Sequence, residues 1–345
     1  MLLSPFSLIY GLAVSLYQSQ FISGISKSIS FNLPVISIGN LSVGGTGKSP
    51  HIEFLIKYLK DYMHLGVLSR GYRRKTFGHL LVNENHSSLD IGDEPKQMKM
   101  KFPEIPFAVN KNRSIGIPKL LKDHPEIQLI LLDDAFQHFE VRPYLNILLT
   151  EYSNPYSKDY LLPSGRLREW RFGHQRAQIV IVTKCPKQPE LDEINEWRKE
   201  LKLLKSQSLF FSTIKYGTPY NLFNPTKKYV LNETAHVILV SAIAQSSYLL
   251  DYVSPKVGTN TEFSFEDHHY FNEDELIKII DRFNKINNYN KLILTTEKDA
   301  TRLLLHKNLF EKSNIDIYVM PIEVEFYQRE EFINLLNNYL LDFKS

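Results

Sequence analysis

Cysteine is almost missing from this chain of 345 residues: Cys185 stands alone. No intramolecular disulfide can form, and no site built on several cysteines exists. That fits a reducing compartment. Net charge is small, +3 from 41 Lys and Arg against 38 Asp and Glu, so composition makes no case for nucleic acid as a partner. No apolar run is long and unbroken enough to span a bilayer. No Lys or Arg precedes Lys27, so the N-terminus is not expected to act as a secretory signal. Internal repeats and low-complexity stretches are absent too. What is present is a folded globular composition, 43% hydrophobic and 23% charged, at a length that suits two domains.

The chain is organised around Ser42-Val43-Gly44-Gly45-Thr46-Gly47-Lys48-Ser49. Before it, Pro34-Val35-Ile36-Ser37-Ile38-Gly39 is a short apolar, β-branched run that predicts a buried strand. After it, Ile52, Leu55, Ile56 and Leu59 sit at i, i+3, i+4 and i+7, the spacing of one helix face. Pro50 is tolerated in a first helical turn, where no intrahelical donor is lost. Strand, glycine loop and helix, joined through Gly-Lys-Ser, form the context of a phosphate-binding loop. Glycines let successive backbone N–H groups turn onto phosphate oxygens, and the helix N-terminus adds partial positive charge. In that reading residues 42–49 cradle a nucleoside triphosphate, Lys48 reaches the β- and γ-phosphates, and the Ser49 hydroxyl ligates magnesium. The usual pattern, G-x-x-x-x-G-K-S/T, opens on glycine; Ser42 stands there, and Gly44 and Gly45 supply the flexibility.

Elsewhere the residues leave alternatives open. Leu8, Leu12 and Leu16, with Ile9 and Tyr10 beside them, predict an N-terminal helix with a broad apolar face, for a membrane surface or for the core. His64 to Gly71 predicts a second strand, followed by the basic cluster Tyr72-Arg73-Arg74-Lys75. Ligands bind at such strand ends in open α/β sheets, although basic runs also serve as solvated faces. Gly92-Asp93-Glu94-Pro95 opens a helix that Asp93 would cap. Leu129 to Asp134 is an apolar strand ending in two acids, the element that delivers a carboxylate to magnesium in a phosphate-loop enzyme. Residues 151–173, rich in Tyr, Pro, Ser, Arg and Gly, predict the crossing between domains, and Arg166, Arg168 and Glu169 there could line a cleft. His268 and His269 are adjacent, with no further His or Cys nearby to complete a metal site. Strand–helix alternation throughout predicts a mainly parallel sheet covered on both faces.

Several of these stretches recur in a set order: Ile38 to Pro50, Ser69-Arg70-Gly71-Tyr72, Gly92-Asp93-Glu94-Pro95, Asp133-Asp134-Ala135-Phe136-Gln137-His138, Leu167-Arg168-Glu169, Asp267-His268-His269 and Thr296-Glu297-Lys298-Asp299-Ala300. Over nearly the whole chain this resembles tetraacyldisaccharide 4'-kinase, the lipid A 4'-kinase family. Trp170 stands where the family usually has Pro, and Phe139 where a basic residue commonly follows Gln-His. The resemblance implies an enzyme using ATP and Mg2+ to phosphorylate the 4'-hydroxyl of an acylated glucosamine disaccharide 1-phosphate. It implies a peripheral protein on the cytoplasmic face of the bacterial inner membrane, a monomer that binds no nucleic acid.

The implied fold is α/β: a phosphate-loop NTPase-like, mainly parallel sheet sandwiched by helices, with a second, smaller α/β domain. Residues 1–30 would form a membrane-associating helix, 31–152 the kinase core, 153–322 the other wall of the cleft, and 323–345 a C-terminal helix packing back on the core. By motif position, Lys48, Asp93 and His268 would be catalytic, brought together by domain closure. Ser49, Asp133, Asp134 and Glu169 would surround the metal. Arg70, Tyr72, Arg73, Arg113, Gln137 and His269 would meet the substrate, with Arg74 a further candidate. Three rival readings fit less well, one of them a non-enzymatic interaction protein that has kept a nucleotide fold. A partitioning-type ATPase needs Lys where Val43 stands. A GTPase needs an Asn-Lys-x-Asp-type base reader that neither Thr183-Lys184-Cys185-Pro186 nor Thr296-Glu297-Lys298-Asp299 supplies.

Overall fold

A computed structural model describes residues 3–344; Met1 and Leu2 of the expected N-terminal helix, and Ser345, lie outside the described residues. The strands in chain order are β1 (Val35–Asn40), β2 (Leu65–Ser69), β3 (Leu80–Leu81), β4 (Phe107–Val109), β5 (Leu129–Asp133), β6 (Leu145–Glu151) and β7 (Ile179–Thr183). They continue as β8 (Ser208–Tyr216), β9 (Tyr220–Asn221), β10 (His236–Ser241), β11 (Thr259–Ser264), β12 (Lys291–Thr296), β13 (Ile317–Met320) and β14 (Ile322–Phe326). A nine-stranded sheet runs β14-β8-β7-β6-β1-β5-β2-β4-β3, and a five-stranded sheet runs β11-β10-β12-β13-β9. All pairings are parallel except those of the edge strands β14, β3 and β9.

The central strands β1, β2, β5 and β7 are buried along their whole length, as continuous apolar runs in a parallel sheet must be. Alternation divides them between two cores. Ile36 and Ile38 face the helix Lys48–Leu59, while Val35 faces the opposite layer with Ile117 and Leu120. The smaller sheet is sandwiched likewise, Ile238 and Ile293 packing on Leu276 and Ile279, and Val237 and Leu239 on Leu249 and Val253.

The boundary expected at residue 153 falls inside the larger sheet. β7 and β8 lie beyond it and pair parallel to β6 and to each other. The chain crosses to the smaller sheet after Tyr216 and returns at Pro321; the crossing points sit side by side, with the Gly217 N–H donating to the Pro321 carbonyl at 2.9 Å. Composition misplaced the boundary because residues 151–173 look like a linker yet bury Tyr156, Leu161 and Leu167. On its return the chain forms β14 and the helix Arg329–Leu341, both against the larger sheet; the Phe326 and Phe332 rings stack at 4.3 Å.

Two short helices join the halves. Asp93–Lys101 belongs to the larger half and Glu297–Leu303 to the smaller. Three ion pairs cross between them: Asp93–Arg302 at 2.6 Å, Glu94–Lys298 at 3.2 Å and Lys101–Glu297 at 2.7 Å. Lys101 also reaches Glu53, on the helix that follows the glycine loop, at 2.5 Å. The Glu53 and Glu297 side chains are each only 4% exposed. Replacing Lys101 by Met is therefore expected to leave two buried carboxylates without a cation and to cost about 3–5 kcal/mol, read from urea unfolding, while Lys101→Arg stays near the wild type.

Gly92 caps the first of these helices at φ +95°, and a Cβ there would lie 3.0 Å from the Tyr72 carbonyl oxygen. Only glycine meets both demands. Gly92→Ala should lower stability by about 1–3 kcal/mol in the same unfolding assay.

Candidate active site

The glycine loop emerges from the C-terminal end of β1, between β5 and β6. Gly44 (φ +112°) and Gly47 (φ +87°) lie in the region that glycine alone adopts freely. The Val43 N–H donates to the Arg166 carbonyl at 2.8 Å and the Thr46 N–H to Gly44 at 3.1 Å. Among the described residues, no internal acceptor takes the N–H of Gly44, Gly45 or Gly47. Three glycine amides thus stay available at the mouth of a helix, the arrangement a phosphate needs. Ser42 is buried and bridges to Leu167, so it anchors the start of the loop. Asn40 Nδ2 donates to Thr46 Oγ1 at 2.8 Å, and Thr183 Oγ1 to the Thr46 carbonyl at 3.0 Å. A small pocket beside the loop is lined by Ser42, Gly44, Gly45, Glu151, Asn154 and Arg166.

Lys48 Nζ lies 3.3 Å from Asn40 Oδ1 and 3.8 Å from Asp134 Oδ1. Arg168 grips both Asp134 oxygens, at 2.8 and 3.2 Å, and also donates to Asn40. Burial alone would raise the Asp134 carboxyl, but Lys48 and Arg168 outweigh it and hold it well below the usual carboxylate range. Asp133 behaves oppositely. Burial, then the charges of Asp134 and Glu94, push it up to about 6, against the Lys48 charge and one hydrogen bond from Ser69 at 3.0 Å. A buried carboxyl short of positive charge, beside a second carboxylate and the lysine of the glycine loop, fits a divalent cation held partly by phosphate oxygens. Among the described residues, no three His, Cys, Asp or Glu side chains converge as a self-sufficient metal site.

The second focus is Asp93, at the N-terminus of its helix and 2% exposed. His268 Nδ1 lies 3.1 Å from Asp93 Oδ2, and Arg302 places Nε at 3.0 Å and Nη2 at 2.6 Å from the same oxygen. Tyr270 donates its hydroxyl to Oδ1 at 3.3 Å. Burial pushes the Asp93 carboxyl up, but the His268 and Arg302 hydrogen bonds and the Arg302 charge outweigh it and bring it to about 2. Asp93 and His268 come from different halves of the molecule and already touch, so no closing motion is needed to unite them. The two foci are electrostatically connected, since the charge of Glu94, next to Asp93, is felt at Asp133. Four residues around this region, Arg73, Asp134, Lys184 and His268, hold a left-handed backbone without being glycine, the kind of strain that collects at functional sites.

Four expected site residues are placed elsewhere. Glu169 is 1% exposed and saturated: Arg176 binds both oxygens at 2.7 and 2.8 Å, Gln137 takes one at 2.8 Å and Gln18 the other at 2.8 Å. It ties the N-terminal helix to the site wall and has no lone pair free for a metal. Gln137 commits its amide nitrogen to Glu169 and to the Asn40 carbonyl at 2.8 Å, while its Oε1 is buried without a partner. Arg113 is fully buried and donates to the backbone carbonyls of Asn110, Lys111 and Asp133, so it supports the acidic strand from below. His269 turns away, its Nε2 2.8 Å from Glu275 and its ring stacked on Phe265. Arg74 is likewise consumed by the Val109 and Gly78 carbonyls. Arg70, Tyr72 and Arg73 remain exposed, with Arg73 donating to the His268 carbonyl at 3.2 Å. Residues without an expected role now have one, Asn40, Tyr270, Lys298 and Arg302, and Arg168, expected to line a cleft, binds Asp134. Arg302 was detectable in principle, one turn beyond Asp299 in the Thr296–Ala300 stretch.

A family model described as "Tetraacyldisaccharide-1-P 4'-kinase" matches residues 1–341. A tetraacyldisaccharide 4'-kinase of Bacteroides thetaiotaomicron is 44% identical over 341 residues, covering 95% of this chain and 90% of that protein. One of Flavobacterium johnsoniae is 41% identical over 333 residues, covering 96% and 94%. The crystal structure of LpxK from Aquifex aeolicus in complex with ATP superposes with a TM-score of 0.74 at 26% identity, covering 99% of this chain and all of that one. The chain therefore belongs to the tetraacyldisaccharide 4'-kinase family.

Proposed function

We propose that this chain moves the γ-phosphoryl group of ATP onto the 4'-hydroxyl of a tetraacyldisaccharide 1-phosphate, with Asp93 as the proton acceptor and the glycine loop as the phosphate cradle. The observation that carries the reading is a carboxylate, Asp93, held between the two halves by His268 and Arg302. The sugar oxygen bonds to the γ-phosphorus, the bridging bond to ADP breaks, and the hydroxyl proton passes to Asp93. Lys48 and the free amides of Gly44, Gly45 and Gly47 bind the phosphate oxygens, so this chain's work is positioning and charge stabilisation. Ser49, Asp133 and Asp134 would hold a magnesium ion, which when bound neutralises charge on the phosphates. Arg70, Tyr72 and Arg73 are exposed, the last two against His268, and suit the substrate's own phosphate.

The N-terminal helix Ser4–Ile22 supports work at a membrane surface. Its polarity is inverted. Ser7, Gly11 and Gln18 are buried against the protein, while Phe6, Ile9, Leu12 and Leu16 are 60–68% exposed. The inward face is held by specific bonds: Ser7 to the Leu161 carbonyl at 3.0 Å, Tyr10 to the Arg168 carbonyl at 2.8 Å, and Trp170 to the Gly11 carbonyl at 3.2 Å. Such a helix offers its apolar side to lipid. No helix among the described residues is long and apolar enough to cross a membrane. The cytoplasmic inner-membrane face, a monomeric state and the absence of nucleic acid belong to the same reading.

Two measurements test it. Phosphate transfer from labelled ATP to a purified tetraacyldisaccharide 1-phosphate should require this protein, and Asp93→Asn should slow it by about 10²–10⁴ with folding intact; full activity of that variant removes Asp93 from its role. Leu12→Glu combined with Leu16→Glu should abolish sedimentation with anionic phospholipid vesicles while ATP binding persists.

A further inference from the structure

The guanidinium of Arg302 is 0% exposed, which is costly unless every donor is used. Its Nη1 is held by Asp299 Oδ1 at 2.8 Å and by the carbonyls of Ala242 at 3.1 Å and His269 at 3.3 Å. Asp299 is itself fixed, accepting the Ala242 N–H at 3.0 Å and the Thr296 hydroxyl at 2.7 Å. The fork therefore cannot swing, and its two remaining nitrogens converge on Asp93 Oδ2.

His268 shares that oxygen, and its tautomer follows from its other neighbour. Lys298 Nζ lies 3.0 Å from His268 Nε2. Burial works against the Lys298 charge, but Glu94 and Asp267 outweigh it and raise its pKa. An ammonium only donates, so Nε2 accepts and the ring proton sits on Nδ1, pointing at Asp93. Oδ2 thus receives three donors from the smaller half of the molecule. Oδ1 receives only the Tyr270 hydroxyl, at 3.3 Å the longest of these contacts.

We infer that Arg302 is a positioning residue for phosphoryl transfer: with His268 it fills Asp93 Oδ2 and so commits Oδ1 to be the oxygen that takes the proton of the acceptor hydroxyl. The inference rests on the reading of Asp93 as the proton acceptor. A hydroxyl is already the group that Oδ1 meets. The same fork keeps the carboxylate ionised against burial, leaving a weak base, which suffices where positioning dominates the reaction. The groups facing Asp93 are Arg302 and Lys298 from one helix, His268, Tyr270 and Asp267 from the loop before Asn272, and Glu94 on its own helix.

Arg302→Lys keeps the charge and removes the fork. With Asp93 held at about 2, the wild-type acid limb of kcat/KM from this group lies below the assayable range. Loosening the fork lets burial raise the carboxyl, so the acid limb moves to higher pH. The expected result is a fall in kcat of about 10²-fold, an unchanged KM for ATP and that upward shift. If Arg302→Lys does not fold, Arg302→Gln with Asp299→Asn removes the buried pair together and should show the same shift. A folded variant with wild-type kcat, or with reduced kcat and an unmoved acid limb, overturns the inference. In the wild type, the 15N spectrum of His268, assigned through His268→Gln, should report the Nδ1–H tautomer; an Nε2–H tautomer also overturns it. Failure of the underlying reading looks different: wild-type protein that does not phosphorylate the lipid, or an Asp93→Asn variant that does so at full rate.

Discussion

Two helices of nine and seven residues carry the charged contact between the halves of this molecule, beside hydrogen bonds from Gln245 and Tyr248 to Glu151. Three opposite-charge pairs cross between the two helices: Asp93, Glu94 and Lys101 meet Arg302, Lys298 and Glu297. Buried ion pairs contribute little net stability but are costly to break one partner at a time. They therefore specify one arrangement of the halves more than they strengthen it. Because Asp93 begins the first helix, the register that joins the halves also aims its carboxylate. Because Lys101 ends the same helix and reaches Glu53, the arrangement is tied to the helix after the glycine loop.

The chemistry follows from uneven distribution of charge among carboxylates. Asp93 has Arg302 and His268, Asp134 has Lys48 and Arg168, and Glu169 has Arg176; each is balanced by a cation or donor within hydrogen-bonding distance. Asp133 accepts one side-chain hydrogen bond, from the Ser69 hydroxyl, and feels the Lys48 charge only through space. It is the carboxyl that remains to be balanced, and it lies beside the loop whose glycine amides are free. In the proposed function, a triphosphate with its cation would complete that set. The N-terminal helix is joined to the same structure through Gln18–Glu169 and Tyr10–Arg168, so the outward apolar face and the phosphate cradle share one connecting segment.

Much of this was legible in the chain. The glycine loop declares itself because phosphate binding depends on local backbone and needs no distant partner. The parallel sheet shows in runs such as Leu129–Leu132 that are apolar on both faces. Asp93 and His268 were legible only through the order of motifs, since an Asp after Gly at a helix start reads first as a cap. The long-range partners were not. An acid such as Glu169 looks the same in sequence whether it meets a metal or Arg176, and Arg113 looks the same whether it meets a phosphate or three backbone carbonyls. The crossing between halves was misplaced because tyrosines and prolines at 151–173 resemble a linker until their burial is known. The inverted N-terminal helix was ambiguous for a related reason: periodicity marks an apolar face without saying which side turns inward.

The central claim is that the charged helix pair, and not later closure, unites the halves and sets Asp93 in place. Native-state hydrogen exchange of the ligand-free protein tests it directly. The account predicts that the amides of Asp93–Lys101 and Glu297–Leu303 are protected to a similar degree and lose protection together. Rapid exchange in either helix while β1, β5, β10 and β12 stay protected would contradict it.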